Sequence, residues 1–449
     1  MNRLQELDTK PVGRLLWQYS LPSVVGIMVM SVYNLIGRAF IGQGVGPDAI
    51  AGLAITFPVM NVSAAFGVLI GAGASARTSI VLGAGQPRQA DLILGNSIVM
   101  TLLLGVFYLS VMAIFMDPIL RLFGASDTSL PYAREYMLYI LPGLLMNNMC
   151  YSYNNVMRAT GYPTKAMLTM ILGAVLSVAL CPLFIFGFKM GIKGAAIATD
   201  IAMGISAAVV MAHFFDRRST VHFKWGTFGL RRDVLLPIMA IGAAPCVVNT
   251  AGCVVNAVIN NTVYSYGGDS AVAAISIFTA VTQLVISLVI GVCLGMQPIV
   301  GYNYGAKRFD RLMRAFWLTA AVCTVACTAG AALCQFAPWL VSRIFTNDAA
   351  LLAASDNALR LATRMFWTVG FQIVVTNFFQ SVGEAGKAIF MSMSRQVIFL
   401  IPLLFTLPRL LGLEGVWLSF PIGDAAAFVT AVVMLYYQMK KMKNVKTID

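Results

Sequence analysis

The sequence predicts an all-α polytopic membrane protein, with twelve transmembrane helices in two pseudo-symmetric six-helix bundles. Three observations predict it: an apolar composition, evenly recurring uncharged stretches, and an internal repeat. Hydrophobic residues make up 59% of the 449 residues and charged residues 11%, with a mean hydropathy of +0.80. A soluble domain carries about 25% charged residues. Stretches long enough to cross about 30 Å of hydrocarbon fall near 15–37, 50–76, 92–116, 133–157, 166–188, 192–214, 234–262, 271–297, 313–337, 359–382, 388–408 and 414–438. The repeat has an offset of 222 positions. Gly46, Asp48, Ala49, Ile50, Ala51, Gly52, Leu53 and Ile55 recur as Gly268, Ser270, Ala271, Val272, Ala273, Ala274, Ile275 and Ile277. Further on, Phe123 returns as Phe345, Gly161 as Gly383 and Lys165 as Lys387. An apolar chain written twice is the mark of a two-lobed transporter that rocks about a central site.

The elements follow in order. Residues 1–14 form a polar, amphipathic lead-in. The first lobe runs to about 215, the second starts near 233, and Asp216–Arg232 is the basic connection between them. The expected division is 1–222 for the N-lobe and 223–449 for the C-lobe. Six spans per copy return the chain to its starting side, so the copies are parallel, related by an axis along the membrane normal. The remaining loops are short and leave no room for an extramembrane catalytic domain. Pro22, Pro58, Pro142, Pro182, Pro237, Pro245, Pro298, Pro402 and Pro421 fall within spans, where they commonly bend helices. Gly67, Gly71 and Gly73 make a small-residue stripe, expected to pack closely within a lobe.

Charge gives orientation. Of 31 Lys and Arg residues, 22 fall on the side of the termini, with Arg158 and Arg395 counted there. The positive-inside rule then puts both termini in the cytoplasm of a multi-pass protein in the cell's inner (plasma) membrane. The net charge of +13 is dispersed over short loops, whereas a nucleic-acid partner would need one continuous basic face. The first apolar stretch, starting near Leu15, is too long for a signal-peptide core. Eight cysteines lie singly inside apolar helices, without a CxxC pair, and read as buried small hydrophobes. No metal and no organic cofactor is expected.

Intramembrane acids are the sharpest functional clue, because each costs roughly 2.5–3.5 kcal/mol at a helix centre. Two lie within spans: Asp200 in the sixth and Asp424 in the twelfth. They nearly coincide when the repeats are superposed, since Asp424 maps onto position 202. Either can hold a proton and release it to water or a cation, as a coupled antiporter requires. The alternative is a carboxylate wetted near the far side, or paired with Arg38 or Lys193. A second set is polar and matched between lobes: Asn34 with Asn256, Asn155 with Asn377, and Asn61 with Gln283. Asn256 and Asn260 share a face with Asn249. With Arg38 and Tyr151, these residues form the expected substrate cavity, although each could simply hydrogen-bond between helices. Abundant methionine and aromatic residues suit a re-packable cavity for flat or cationic ligands.

The turns after the second and eighth spans carry a likeness. Gly71-Ala72-Gly73-Ala74-Ser75 with Leu82-Gly83-Ala84-Gly85, and Gln297-Pro298 followed by Gly301-Tyr302-Asn303-Tyr304-Gly305-Ala306, resemble the multidrug and toxic compound extrusion (MATE) transporters. The likeness covers essentially the whole chain and is greatest to the bacterial DinF/MepA-like branch. It implies twelve helices around a cleft that opens alternately to each side, and export of organic cations or amphipathic compounds driven by inward H⁺ or Na⁺. The family's usual N-lobe acids are replaced: Gly37 stands for an aspartate, and Ser177 and Cys181 for an Asn and an Asp. Either Asp200 relocates the coupling carboxylate, or coupling is altered or lost.

The expectation is therefore a secondary active exporter, with Asp200 and Asp424 as ion-coupling residues, H⁺ or Na⁺ as coupling ion, and a small amphipathic or cationic molecule as substrate. It is expected to work in the bilayer as a monomer and not as an enzyme. The rivals are a lipid-linked saccharide flippase, which would need several basic residues around its cavity, and a transport-inactive sensor.

Overall fold

Proline placement explains where many helices begin. Pro87, Pro163 and Pro338 each open a helix, where the missing N–H has no partner to lose. The computed structural model describes residues 3–45, 47–216, 218–346 and 348–446. In the first half these form α1 (Arg3–Thr9), α2 (Val12–Gly44), α3 (Pro47–Gly83), α4 (Pro87–Leu122), α5 (Leu130–Ala159), α6 (Pro163–Pro182) and α7 (Gly191–Phe215). The second half holds α8 (Arg232–Gly305), α9 (Phe309–Phe336), α10 (Pro338–Phe345), α11 (Ala349–Ala362), α12 (Trp367–Ser381), α13 (Ala385–Met393), α14 (Ile401–Leu411) and α15 (Leu413–Lys446). Two π-helical turns, Leu183–Gly187 and Ser394–Leu400, follow α6 and join α13 to α14.

The offset of 222 carries over from sequence to backbone. Shifting α3 by it gives 269–305, the part of α8 that follows Gly268. Gly268 has φ 61° and ψ −158°, a conformation open essentially to glycine alone, so α8 is two spans joined there. Its repeat mate Gly46 lies outside the described residues. Phe115, the non-helical residue inside α4, maps onto Ala337, which separates α9 from α10. Gly161 and Gly383 both take positive φ, 99° and 80°, and Gly85 at 73° is matched by Lys307 at 56°.

Among the described residues nine helices are long and apolar enough to cross a membrane. One of them is the double-length α8. The other two crossings of the expected twelve are α5 and the α11–α12 pair. α5 is polar, carrying Asn147, Asn148, Asn154, Asn155 and Arg158, while α11 and α12 are short helices separated by residues 363–366. Leu102, Val106 and Phe107 on α4, and Val429, Val433 and Tyr436 on α15, are exposed. Apolar bands of this kind suit lipid rather than water.

The halves meet at the end of the molecule that holds the termini. A Cβ on Gly83 would lie 1.9 Å from the carbonyl oxygen of Tyr302, and one on Gly305 would lie 1.9 Å from that of Ile80. These two contacts are repeat mates, since 83 maps to 305 and 80 to 302. Gly73 likewise abuts Ile238, Gly242 abuts Leu69, and Gly295 abuts Ser20; the Ser20 hydroxyl donates to the Val292 carbonyl at 3.2 Å. The glycine stripe is therefore divided. Gly67 and Gly71 pack on Asn148 and Ser152 within the first half, as expected, whereas Gly73 makes a contact between halves. At the opposite end Asn34, Leu35, Asn249, Asn256 and Asn260 are exposed, so the cleft opens away from the termini.

Each half also sends its leading segment onto the other. Leu15, Leu16 and Tyr19 of α2 share a core with Met296, Ile299 and Phe316, while Ile238 shares one with Val81, Leu94 and Val156. Arg308 binds Asp8 at 2.6 Å, and Arg311 donates to the Leu7 and Lys10 carbonyls. In the mate position, residues 222–231 lie on α4. Lys224 pairs with Asp91 at 2.6 Å, and Asn96 bonds the Thr227 carbonyl and the Arg231 N–H. Nearby, burial opposes the charge of Glu384, but Lys441 and Lys387 hold its carboxyl below the usual range. Because the glycine contacts close this end by backbone proximity, Gly83→Ala with Gly305→Ala is expected to pry it open. Spin labels placed across that end should report a longer distance than in the parent; an unchanged distance would show that other contacts set the closure.

Candidate functional site

Two acids and two cavities define the candidate site. Asp200 sits on α7, half-buried against α5. Its Oδ1 is enclosed against the Gly143 backbone, and no side chain or cation bonds it among the described residues. A Cβ on Gly143 would lie 1.8 Å from that oxygen, so only glycine at 143 leaves room for this carboxylate. Asp200 lines neither cavity.

Asp424 is 5% exposed and accepts from Arg395 Nε at 2.8 Å. Arg395 lies in the π-helical turn Ser394–Leu400, so it does not belong with the surface charges on the side of the termini. That placement is a correction. It also gives Asp424 a partner, Arg395, while Lys193 lies against Glu135. Arg395 stands inside the expected span 388–408, and this was the signal available in the sequence. The pair lines a cavity of about 170 Å³ with Asn256, Thr279, Thr282, Gln283 and Gln396, and with the rings of Phe278 and Phe420.

The first half holds a smaller cavity of about 50 Å³, between α2, α5, α6 and α7. Met30, Tyr33, Asn147, Cys150, Tyr151, Asn154, Arg158, Thr169, Met170, Gly173, Ser177, Thr199, Ala202, Met203 and Ser206 line it. Asn154 and Thr169 bond each other. Arg158 is 3% exposed; it donates to Asn155 Oδ1 at 2.7 Å and lies 3.8 Å from Met170 Sδ. It forms no ion pair among the described residues, and it too leaves the group of surface charges. The two cavities share some repeat positions: Met30 and Tyr33 map onto Gly252 and Val255, Gly173 onto Arg395 and Ala202 onto Asp424. Small neutral residues thus stand in the first half where the second half has an ion pair.

The sequence-selected residues divide accordingly. Tyr151 lines the first cavity; Asn256, Gln283 and Asp424 line the second. Asn34 and Asn260 are exposed at the open end, with Asn34 donating to the Met30 carbonyl. Asn155 is buried, tied to the Tyr151 carbonyl and Arg158. Asn377 is half-buried and bonds the Ile373 carbonyl. Asn61 is half-buried and lines neither cavity. The side chain of Arg38 lies outside those described. Of the replaced positions, Ser177 lines the first cavity, Gly37 has nothing within 4 Å of where a Cβ would stand, and Cys181 is buried.

An all-α chain built twice around a cleft open at one end, with acids inside its spans, has the build of a secondary active transporter. The chain belongs to the MatE family: the family model matches residues 22–183 and again 245–406. The second match starts 223 positions after the first, in keeping with the repeat. The multidrug export protein MepA of Staphylococcus aureus (strain NCTC 8325 / PS 47) is 25% identical over 97% of this chain and 96% of its own length. Among solved structures, an outward-facing multidrug resistance MATE family transporter of the MOP superfamily is similar with a TM-score of 0.92, at 25% identity, over 99% of both chains. A MATE structure in the bent conformation is similar with a TM-score of 0.94, at 23% identity, over 100% of this chain and 99% of that one.

Proposed function

We propose that this protein exports organic cations or amphipathic drugs in exchange for H⁺ or Na⁺ by alternating access, with residues 1–222 rocking against 223–449. The carrying observation is Asp200: a carboxylate oxygen enclosed inside the first half with no cation or side-chain partner among the described residues. A buried carboxylate is expensive unless it exchanges its charge. Proton uptake would favour one shape of the lobe and release the other, and a difference of that kind is what an ion must supply to shift an equilibrium. Asp424, tied to Arg395, is a second coupling residue of this scheme. The exposed polar groups at the open end (Asn34, Asn256, Asn260 and Gln283) provide a wet path to it, with Arg38, Asn61, Tyr151, Asn155 and Asn377 on the neighbouring helices. MepA's name speaks of multidrug export, which supports the substrate class. The excess of Lys and Arg at the end holding the termini supports cytoplasmic termini in the inner membrane, and the closure of the cavity within one chain supports a monomer.

The test is reconstitution in liposomes. A fluorescent organic cation is expected to move against its gradient when a pH or Na⁺ gradient is imposed, and to stop when both are collapsed. Movement that ignores both gradients would refute coupling.

A further inference from the structure

We propose that the first-half cavity receives the carboxylate of an amphipathic substrate, with Arg158 as its counter-charge; this rests on the export reading and specifies the cargo. Three observations carry it. First, Arg158 is a buried guanidinium that lines the cavity, and its contacts, Asn155 Oδ1 and Met170 Sδ, are neutral. An arginine has five N–H donors in a fixed fork that suits a carboxylate, and those contacts leave donors over. No acid lines the cavity, since Asp200 turns towards Gly143 instead.

Second, the repeat shows what is missing. In the second half the mate cavity contains its own carboxylate–guanidinium pair, Asp424 with Arg395. In the first half those two positions are Ala202 and Gly173, both neutral and small, so this cavity has no carboxylate of its own to answer the Arg158 guanidinium. A guest carboxylate supplies one. Third, the remaining lining suits such a guest. The Tyr33 hydroxyl, the Asn147 amide and the Ser177 hydroxyl make no hydrogen bond among the described residues, while Met30, Met170 and Met203 offer an adaptable apolar wall. At about 50 Å³ the cavity admits the charged end of a molecule, and the body extends past Tyr151 towards the open end.

The experiment uses the full chain in lipid nanodiscs with no gradient. The probes are rhodamine B, which carries a free carboxylate, and its ethyl ester, which does not, read by fluorescence polarisation. The acid is expected to bind about tenfold or more tighter than the ester, the scale of one charge-assisted hydrogen-bonded pair. Arg158→Gln should remove that preference, and Arg158→Lys, which keeps the charge, should retain part of it. Equal affinity of the wild-type protein for acid and ester would overturn the proposal, whether or not the variants fold. The outcome is separate from the export reading. A protein that prefers the acid but moves neither probe in liposomes sinks export alone; one that exports the ester and binds the acid no better sinks this proposal alone.

Discussion

Asp200→Asn is expected to abolish gradient-driven export while leaving substrate binding within a few-fold of wild type. The amide matches the carboxyl in size, so the tight fit against Gly143 survives and the lobe keeps its packing. Proton exchange is lost. For a substrate without net charge, the proton moved across 100 mV is worth about 2.3 kcal/mol, or roughly a fifty-fold concentration ratio at about 1.4 kcal/mol per decade. For a monovalent cation the one-for-one exchange moves no net charge, and each unit of pH difference sustains about tenfold; the variant should only equilibrate its substrate in either case. Gly143→Ala supplies an independent arm. Its methyl would overlap the Asp200 carboxyl, pushing the acid out of its place without changing its chemistry, and it should reproduce the transport defect with Asp200 intact. Export by Asp200→Asn that still follows the pH gradient would move coupling to another group, and Asp424 is the remaining intramembrane acid of the two.

Much of the architecture was legible because the repeat is written in residues. Gly46 and Gly268, Gly161 and Gly383, and Lys165 and Lys387 fix an offset that the helices then obey. The contacts between halves were not legible. Gly67, Gly71 and Gly73 look alike in sequence, yet only Gly73 abuts the other half; which neighbour a small residue admits depends on the crossing of helices distant in the chain. The polar residues show a similar limit. Asn34, Asn155 and Asn377 each donate to a carbonyl four residues earlier, and a side chain engaged by its own helix is less available to a ligand than its residue type suggests. Arg395 was masked by proximity to a basic end. Its place inside the span 388–408, rather than the general drift of charge, is the signal that marks it as a membrane-buried cation.

The Arg395–Asp424 pair leads to the other large effect. Breaking a buried pair by removing one partner costs about 3–5 kcal/mol, because the survivor remains charged and uncompensated. The two single variants should nevertheless behave differently. In Arg395→Met the surviving carboxyl can shed its charge by taking a proton, so the loss of stability should be full at alkaline pH and shrink as pH falls. In Asp424→Leu the surviving guanidinium stays protonated across the whole range, and the loss should be the same at both ends. Replacing both partners with apolar residues removes the charges together, and the double variant is expected to recover most of the wild-type melting temperature. Thermal melts of the four proteins in detergent at pH 5 and pH 8 test this pattern. Equal pH response in the two single variants would mean that water reaches the pair and screens it. Transport then assigns the role of the pair: a double variant that melts like wild type and still exports makes the pair structural, and leaves Asp200 to carry the ion.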